Sequence, residues 1–102
     1  MTFNITYNPE VQNDIQSAVS WYNKQQPGLG KRFLASARKQ LNSLKNSADH
    51  YAIRYDDIHC MPIKKFPYMA HYRINHENKT IKVEAVIHTS RDPEKWNQRT
   101  QK

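Results

Sequence analysis

The sequence predicts an α+β fold: an N-terminal strand, an antiparallel helical hairpin packed on one face of an antiparallel sheet, and a short C-terminal turn or helix. The first half of the chain carries two apolar stripes at helical spacing, separated by the turn sequence PGLG at residues 27–30. The second half alternates apolar and polar residues, as half-buried strands do. The 102 residues fit one domain, and we expect residues 97–102 to form a flexible tail.

The N-terminal elements follow from local patterns. Residues 3–7 (FNITY) alternate in polarity, which predicts a short strand. Asn8 and Pro9 predict the start of a helix, because asparagine caps helices and proline fits the first helical position. The apolar residues at helical spacing, which form the expected buried stripe, are Val11, Ile15, Ala18, Val19 and Tyr22.

A second helix is expected after Gly30, once Pro27 and Gly28 have made a turn. The apolar stripe of this helix is Phe33, Leu34, Ala37, Leu41 and Leu44. The basic residues between Lys31 and Lys45 occupy its other faces, and we interpret them as a solvated surface. The two helices should pack as a hairpin, and a sheet must cover their apolar stripes.

The sheet is predicted from residues 58–65, 68–75 and 80–88, with a hairpin turn at Glu77 and Asn78. This turn sets a register in which every opposing pair on one face is apolar, so that face should meet the helices. The pairs are Ile74 with Ile81, Tyr72 with Val83, Ala70 with Ala85, and Tyr68 with Ile87. The sequence does not decide which edge of the sheet the first strand joins.

The opposite face of the sheet is expected to be bare and to carry the functional groups. It should collect His71, Arg73, Lys82, Glu84 and His88, with Lys64 near a turn and Arg91 just past the last strand. Arg73 opposite Lys82 would be a like-charge pair, unfavourable by roughly 0.2–1 kcal/mol. Such repulsion indicates a ligand that supplies negative charge.

The charge balance points the same way. Sixteen Lys and Arg residues stand against nine Asp and Glu residues, for a net charge of +7 and a pI near 9.7. This field favours nucleic acid or an acidic protein as the partner, although a basic surface also serves solubility alone. Since Cys60 is the single cysteine and no leader or membrane span is apparent, we expect a cytoplasmic protein. The histidine spacing predicts no metal, and we expect no cofactor and no small-molecule substrate.

Each candidate residue also has a purely structural interpretation. His88 could bond a backbone carbonyl at the strand end, and Arg91 could pair with Asp92 while Asp92 caps the following turn. Trp96 could be an apolar lid on the sheet. His71 with Glu84 could be a cross-strand ion pair and not a general base. Cys60 and His59 point to opposite sides of a strand, which argues against a Cys–His nucleophile.

These segments resemble the RelE/ParE superfamily of bacterial toxins from type II toxin–antitoxin systems. The similarity runs from about Tyr7 to Trp96 and is most specific in Phe66-Pro67-Tyr68 and in the ending His88-x-x-Arg91-Asp92. Other segments that carry it are 14–22, 28–33, 64–74 and 85–96, with Leu41 and Leu44. The resemblance implies a helical hairpin on an antiparallel sheet. It also implies a nearby-encoded acidic antitoxin that wraps the toxin as a helix or an added strand.

The superfamily contains two activities, and the sequence leaves both open. RelE-like members cut messenger RNA on the ribosome, which requires a base and cations that stabilise the phosphorane. His88, His71 or Glu84 could be that base, and Arg73, Lys64 or Arg91 could stabilise charge. ParE-like members poison DNA gyrase. The absence of a tyrosine after His88 and the His-x-x-Arg-Asp ending favour the ParE-like activity.

A third hypothesis discards the resemblance and treats the chain as a passive basic module that binds nucleic acid. Under the binding hypotheses, the residues expected to engage a partner are Lys64, Lys65, Lys82, Arg91 and Trp96. Whether the chain is an enzyme therefore depends on which hypothesis holds.

Overall fold

The computed structural model describes residues 2–91 and 93–100. Its elements are β1 (Asn4–Tyr7), α1 (Glu10–Gln25), α2 (Leu29–Ser47), a 3-10 turn (Ala48–His50), β2 (Ile53–Tyr55), β3 (Ile58–Pro62), β4 (Tyr68–Asn75), β5 (Thr80–His88) and α3 (Pro93–Thr100). The α+β class, the N-terminal strand and the helical hairpin are confirmed. Among the described helices, none is long and apolar enough to cross a membrane.

The start of α1 agrees with the sequence-based prediction. The backbone N–H of Glu10 donates to the side-chain oxygen of Asn8 at 2.9 Å, and Pro9 has helical angles of φ −54° and ψ −28°. Proline fits here because the first turn of a helix leaves its N–H groups without intrahelical partners.

The helical hairpin depends on two glycines. Gly28 has φ +88°, a left-handed conformation that favours glycine. Gly30 lies where α1 and α2 approach most closely: a Cβ there would stand 2.5 Å from the carbonyl oxygen of Val19 and 2.8 Å from the side chain of Asn23. The N–H of Gly30 donates to Asn23 Oδ1 at 2.9 Å, which joins the two helices directly.

The sheet has five strands in the order β1-β5-β4-β3-β2. β1 runs parallel to β5, so the N-terminal strand joins the β5 edge and the sheet is mixed instead of wholly antiparallel. We did not predict β2, which has three residues and pairs with β3 across a turn where Asp56 has φ +47°. So short a strand lacks the alternation that identifies a strand in sequence.

The predicted β4–β5 register holds over the half nearest the turn and fails beyond it. Ile74 pairs with Ile81 and Tyr72 with Val83, as predicted. Past that point, β5 contains one extra residue, Glu84, which has no partner in β4. This is a β-bulge, in which two residues of one strand oppose one residue of the other.

The bulge overturns the pairing predicted for the other half of the hairpin. Ala70 pairs with Val86 instead of Ala85, and Tyr68 pairs with His88 instead of Ile87. The remaining pairs are His71 with Ala85 and Met69 with Ile87. Because side chains alternate with period two, the extra residue moves every later residue of β5 to the other face.

Both faces of the sheet are therefore covered. The hairpin face holds the larger core, whose fully buried members include Phe33, Leu44, Tyr72, Ile81 and Val83. The second face holds a smaller core of Ile58, Cys60, Met69, Ala85, Ile87 and Trp96. The expectation of a bare second face is wrong, because the bulge turns Ala85 and Ile87 onto it and α3 covers them.

The C-terminal helix also extends further than we expected. α3 continues to Thr100, and Thr100 is buried, whereas we predicted a flexible tail from residue 97. Residues 101–102 lie outside the described part of the chain, as does Asp92, for which we predicted a capping role.

Candidate functional site

His71 lies beneath α3 and is fully buried, at 0% exposure. Its Nδ1 is 2.9 Å from the hydroxyl of Tyr55, which donates to Thr100 Oγ1 at 3.3 Å. Thr100 donates in turn to the carbonyl oxygen of Trp96 at 3.0 Å. The hydroxyl protons of Tyr55 and Thr100 are therefore both used in these bonds, and neither is available to His71. His71 Nδ1 must therefore carry a proton and donate it to Tyr55.

The surroundings of His71 keep it neutral. Burial lowers the pKa of His71 to about 4, and the nearby cations Arg54 and Arg99 act in the same direction. Its Nε2 is buried without a hydrogen-bond partner. An imidazole closed off by Trp96, whose ring centroid is 5.0 Å away, has no access to a proton on an external substrate.

Cys60 pairs with His71 across β3 and β4, with its sulfur 3.4 Å from His71 Nδ1. From the sequence, His59 was the neighbour considered for Cys60, whereas the structure places His71 beside it. Burial raises the pKa of the Cys60 thiol to about 11, so the sulfur stays protonated at neutral pH. A neutral thiol beside a neutral imidazole is a packing contact and not an activated nucleophile.

Arg73 and Glu84 form the centre of an ion-pair network on the second face. Glu84 is only 6% exposed, and its Oε2 is 3.2 Å from Arg73 Nε. Lys82 Nζ is 3.6 Å from Glu84 Oε1, and Asp57 Oδ1 is 2.7 Å from the Arg73 guanidinium. Arg73 also donates to the carbonyl oxygen of Thr100. Arg73 does lie opposite Lys82, but their repulsion is offset by Glu84 from within the protein.

A second ion-pair network was not visible in the sequence. Both carboxylate oxygens of Asp14 bond the guanidinium of Arg99, at 2.7 and 2.8 Å, and Asp14 Oδ2 also accepts the N–H of Val86 at 3.1 Å. Glu10 lies 3.0 Å from Arg99 Nε. These hydrogen bonds with Asp14 raise the pKa of Arg99. The network ties α3 to α1 and to β5.

His88 lies on the hairpin side of the sheet, since it pairs with Tyr68, whose ring packs against Tyr22 and Phe33. The His88 ring meets the Tyr68 ring edge-on at 5.1 Å. Both residues border a cavity of about 400 Å³, which we call the β5-end notch. The other residues that line the notch are Asn13, Asp14, Ser17, Ala18, Trp21, Val86, Ile87 and Arg91.

Lys64 and Lys65 lie away from the β5-end notch. They line a cavity of about 650 Å³ between α2 and the β3–β4 turn, which we call the basic groove. Arg32 and Lys39 of α2 line it as well. The backbone of the turn is held against α2, because Gln40 donates to the carbonyl oxygen of Pro62 at 2.9 Å and accepts from the N–H of Lys64. No carboxylate lies among the described residues that line this groove.

The residues that we considered for a nuclease site therefore do not converge. His71 is enclosed, Arg73 and Glu84 pair with each other, and His88 lies on the opposite face of the sheet. Arg91 lines the β5-end notch together with His88, and Lys82 forms an ion pair with Glu84. Trp96 is buried in the second core. Within residues 2–91 and 93–100, no three His, Cys, Asp or Glu side chains come together as metal ligands would.

Three comparisons place this fold among known proteins. Residues 5–93 match the family model for the ParE toxin of the type II toxin–antitoxin system parDE. No curated protein sequence matches the chain at a significant level. Similar solved structures are the chromosomal ParDE system from P. aeruginosa, the toxin–antitoxin complex RelBE2 from Mycobacterium tuberculosis, and a free mutant of the E. coli toxin RelE.

The structural similarity covers most of each chain at low sequence identity. For ParDE the TM-score is 0.76 at 13% identity, over 87% of this chain and 98% of the other. For RelBE2 it is 0.62 at 16% identity, over 86% and 99%. For RelE it is 0.62 at 14% identity, over 88% and 86%. At such identities the structures support the fold, while the family model covers most of the sequence. The chain belongs to the ParE toxin family of type II toxin–antitoxin systems.

Proposed function

We propose that this chain inhibits growth by binding DNA gyrase, and that a cognate acidic antitoxin encoded nearby neutralises it. The gyrase-directed activity is supported by the observation that the candidate nuclease residues do not form one accessible site. Arg73 and Glu84 bond each other at 3.2 Å, and His71 is enclosed beneath α3 with a pKa of about 4. A ribonuclease needs a base and cations at one accessible place, whereas a gyrase-directed toxin needs only a binding surface.

The antitoxin is supported by charge and by the family. With a net charge of +7, the chain attracts acidic partners, and opposite fields speed association. RelBE2 from M. tuberculosis is a toxin–antitoxin complex with the same fold. The basic groove offers four cations, Arg32, Lys39, Lys64 and Lys65, beside the apolar side chains of Leu29 and Phe66. We propose that an acidic amphipathic segment of the antitoxin occupies it.

Expression of the chain alone, followed by two purified assays, tests the proposal. We expect growth arrest that co-expression of the antitoxin relieves. We expect purified toxin to inhibit supercoiling by gyrase, or to trap gyrase–DNA cleavage complexes, and to leave messenger RNA intact in a translating extract. Message cleaved at codon-spaced sites, with gyrase unaffected, would replace this proposal by the ribonuclease activity. Unimpaired growth with folded, soluble protein would remove toxicity altogether.

One variant separates the two activities further. Because the Arg73–Glu84 pair stabilises the fold in this proposal, Arg73→Ala should lower the melting temperature, and toxicity should fall only in proportion to the loss of folded protein. Abolished toxicity at an unchanged melting temperature would instead mark Arg73 as a catalytic residue.

A further inference from the structure

We propose that the β5-end notch binds a nucleotide, with the base against Trp21 and the phosphate held by Arg91 and His88. This inference goes beyond the proposed function and does not rest on it. The notch lies on the hairpin side of the sheet and is separate from the basic groove: none of the ten residues that line it lines the groove.

Trp21 provides the surface for the base. It is 54% exposed, although tryptophan is among the residues that gain most from burial. Its indole is held by an edge-on contact with Tyr22, at 5.1 Å between ring centroids. Tyr22 is buried and packs on Phe33, so the ring that Trp21 contacts is fixed in the core. An exposed, supported aromatic ring is the element on which nucleic-acid-binding proteins stack bases, and stacking accepts any base.

His88 provides an oriented hydrogen-bond donor. The backbone N–H of Ser90 donates to His88 Nδ1 at 3.1 Å, and the Ser90 hydroxyl lies 2.7 Å from the same nitrogen. A backbone N–H can only donate, so Nδ1 of the neutral ring is unprotonated and the proton lies on Nε2. The half-buried ring therefore presents an N–H donor at the notch, already in the tautomer that a phosphate oxygen requires.

Arg91 completes the anion site. It is exposed, lines the notch, and its backbone N–H donates to the carbonyl oxygen of His88 at 3.0 Å, which fixes the turn that carries both residues. A guanidinium is the side chain best matched to phosphate, because it donates two parallel hydrogen bonds. The carboxylate that lines the notch, Asp14, is neutralised by its two bonds to Arg99 and does not oppose an anion.

The size and the polarity of the notch select the ligand class. A volume of about 400 Å³ falls in the range of small-ligand sites. The polar side chains of Asn13 and Ser17 line the same notch and can bond the hydroxyl groups of a sugar. A free mononucleotide and one nucleotide of a single strand share this chemistry. A divalent cation would be repelled by Arg91.

Titration of the full-length protein with nucleotides, followed by NMR, tests the site. The chain has two tryptophans, Trp21 and the buried Trp96, and hence two indole N–H signals. We expect uridine monophosphate and adenosine monophosphate to shift the Trp21 signal saturably while the Trp96 signal stays in place. Uridine without phosphate should bind at least about tenfold more weakly, because it cannot engage Arg91 and His88.

Two variants and two matched controls assign the contacts. Trp21→Ala and Arg91→Ala should each weaken the binding of uridine monophosphate about tenfold or more. Because Trp21→Ala lacks the Trp21 indole signal, binding to this variant is followed through the backbone amide signals of His88 and Arg91. Tyr7→Ala removes another exposed aromatic ring, and Lys45→Ala removes another exposed cation, both outside the notch, so neither should change the affinity. Melting temperatures of all four variants report whether each still folds.

The results distinguish a free mononucleotide from one nucleotide of a single strand as the ligand, and they also show when the proposal is wrong. If a short single-stranded oligonucleotide moves the Trp21 signal and the mononucleotides do so only weakly, the site takes one nucleotide of a strand. No movement of the Trp21 signal with either probe overturns the proposal. The proposal is also overturned if Lys45→Ala lowers the affinity for uridine monophosphate as much as Arg91→Ala does. Equal losses would mean that the nucleotide is attracted by the overall positive charge of the protein and not by the notch. Gyrase and growth assays play no part, so failure here leaves the proposed function untouched.

Discussion

His71 shows how the environment of one residue decides its chemistry. In the sequence it is a histidine on a strand beside candidate carboxylates, which is a pattern shared with general bases. In the structure, Trp96 and Tyr55 enclose the ring, and the hydrogen bond between its Nδ1 and Tyr55 leads through Thr100 to the end of α3. The imidazole therefore serves to anchor α3 on the sheet, and its neutrality is a condition of that packing.

The neutrality of His71 predicts a pH dependence of stability. The pKa of His71 is about 4 in the folded chain and near 6.5 when unfolded, so the unfolded chain binds more protons between these values. Stability from this group is complete above pH 6.5 and falls as pH drops toward 4, by about 3 kcal/mol in all. Urea denaturation across this range measures the loss, and His71→Phe should flatten the curve by about this amount.

His50→Gln, which replaces an exposed histidine, is the matched control for that measurement. Equal slopes in the His71→Phe variant and the parent would mean that His71 is accessible to protons in the folded state. The enclosed position of the ring would then be wrong.

At the scale of elements, one ion pair joins α3 to both α1 and β5. Asp14 accepts from Arg99 and from the N–H of Val86, which is available because β1 ends at Tyr7 and leaves the rest of β5 without a strand partner on that side. A single carboxylate thus joins the first helix, the last strand and the last helix.

Removal of this carboxylate should release α3. Asp14→Asn leaves the partly buried Arg99 without its main counter-charge, so we expect a loss of about 2–3 kcal/mol in the free energy of unfolding. Hydrogen exchange should rise at the backbone amides of α3 before it rises in β4. Glu10→Gln removes the other, exposed partner of Arg99 and should cost less than about 0.5 kcal/mol. Equal losses in the two variants would contradict the importance of Asp14.

The elements that the sequence predicted are those with a regular period. The apolar stripes of α1 and α2 and the turn-proximal pairs of β4 with β5 follow from local spacing, and the structure confirms them except at Leu34, which is half-buried and lies outside the core. The bulge at Glu84 could not be predicted from the sequence. The residues on either side of it, Val83, Ala85, Val86 and Ile87, are all apolar, so both possible assignments of β5 residues to the two sheet faces give an apolar face. The Asp14–Arg99 pair spans 85 positions, and no local pattern connects them.

The candidate site was predictable only as a set of residue types. One interpretation of the sequence was that His88 and Arg91 face an anionic partner, and both residues line one notch. Trp21 and Tyr68 border the same notch. In the sequence, Trp21 lies within the segment 14–22 that carries the family resemblance and Tyr68 was predicted on the core face, so nothing joined them to His88. The signal that was present, an aromatic residue in α1 outside the apolar stripe, acquires meaning only from the tertiary structure.

Over the whole molecule, the charge is concentrated along α2. This helix contains five Lys and Arg residues and no Asp or Glu, and two of its cations line the basic groove with Lys64 and Lys65. Such a surface should govern how fast an acidic antitoxin associates.

Charge reversal in the groove tests this surface. Lys39→Glu combined with Lys64→Glu should slow association with the antitoxin about tenfold or more at low salt, and the difference should shrink as salt rises. Lys24→Glu, on the exposed side of α1, is the single-charge control and should have a smaller effect. Stopped-flow mixing of toxin and antitoxin measures both rates. Equal slowing per charge in all variants would place the antitoxin elsewhere on the surface.

The parallel pairing of β1 with β5 has a consequence for how the protein is made. β1 is translated well before β5, but Asn4 pairs with Thr80 and Tyr7 with Val83, so β1 has no strand partner until β5 has been made. Contacts between such distant residues close slowly, because a long loop must be ordered before it is stabilised. A truncated product that ends before β5 leaves β1 without its strand partner, so the sheet cannot be completed until β5 has been translated.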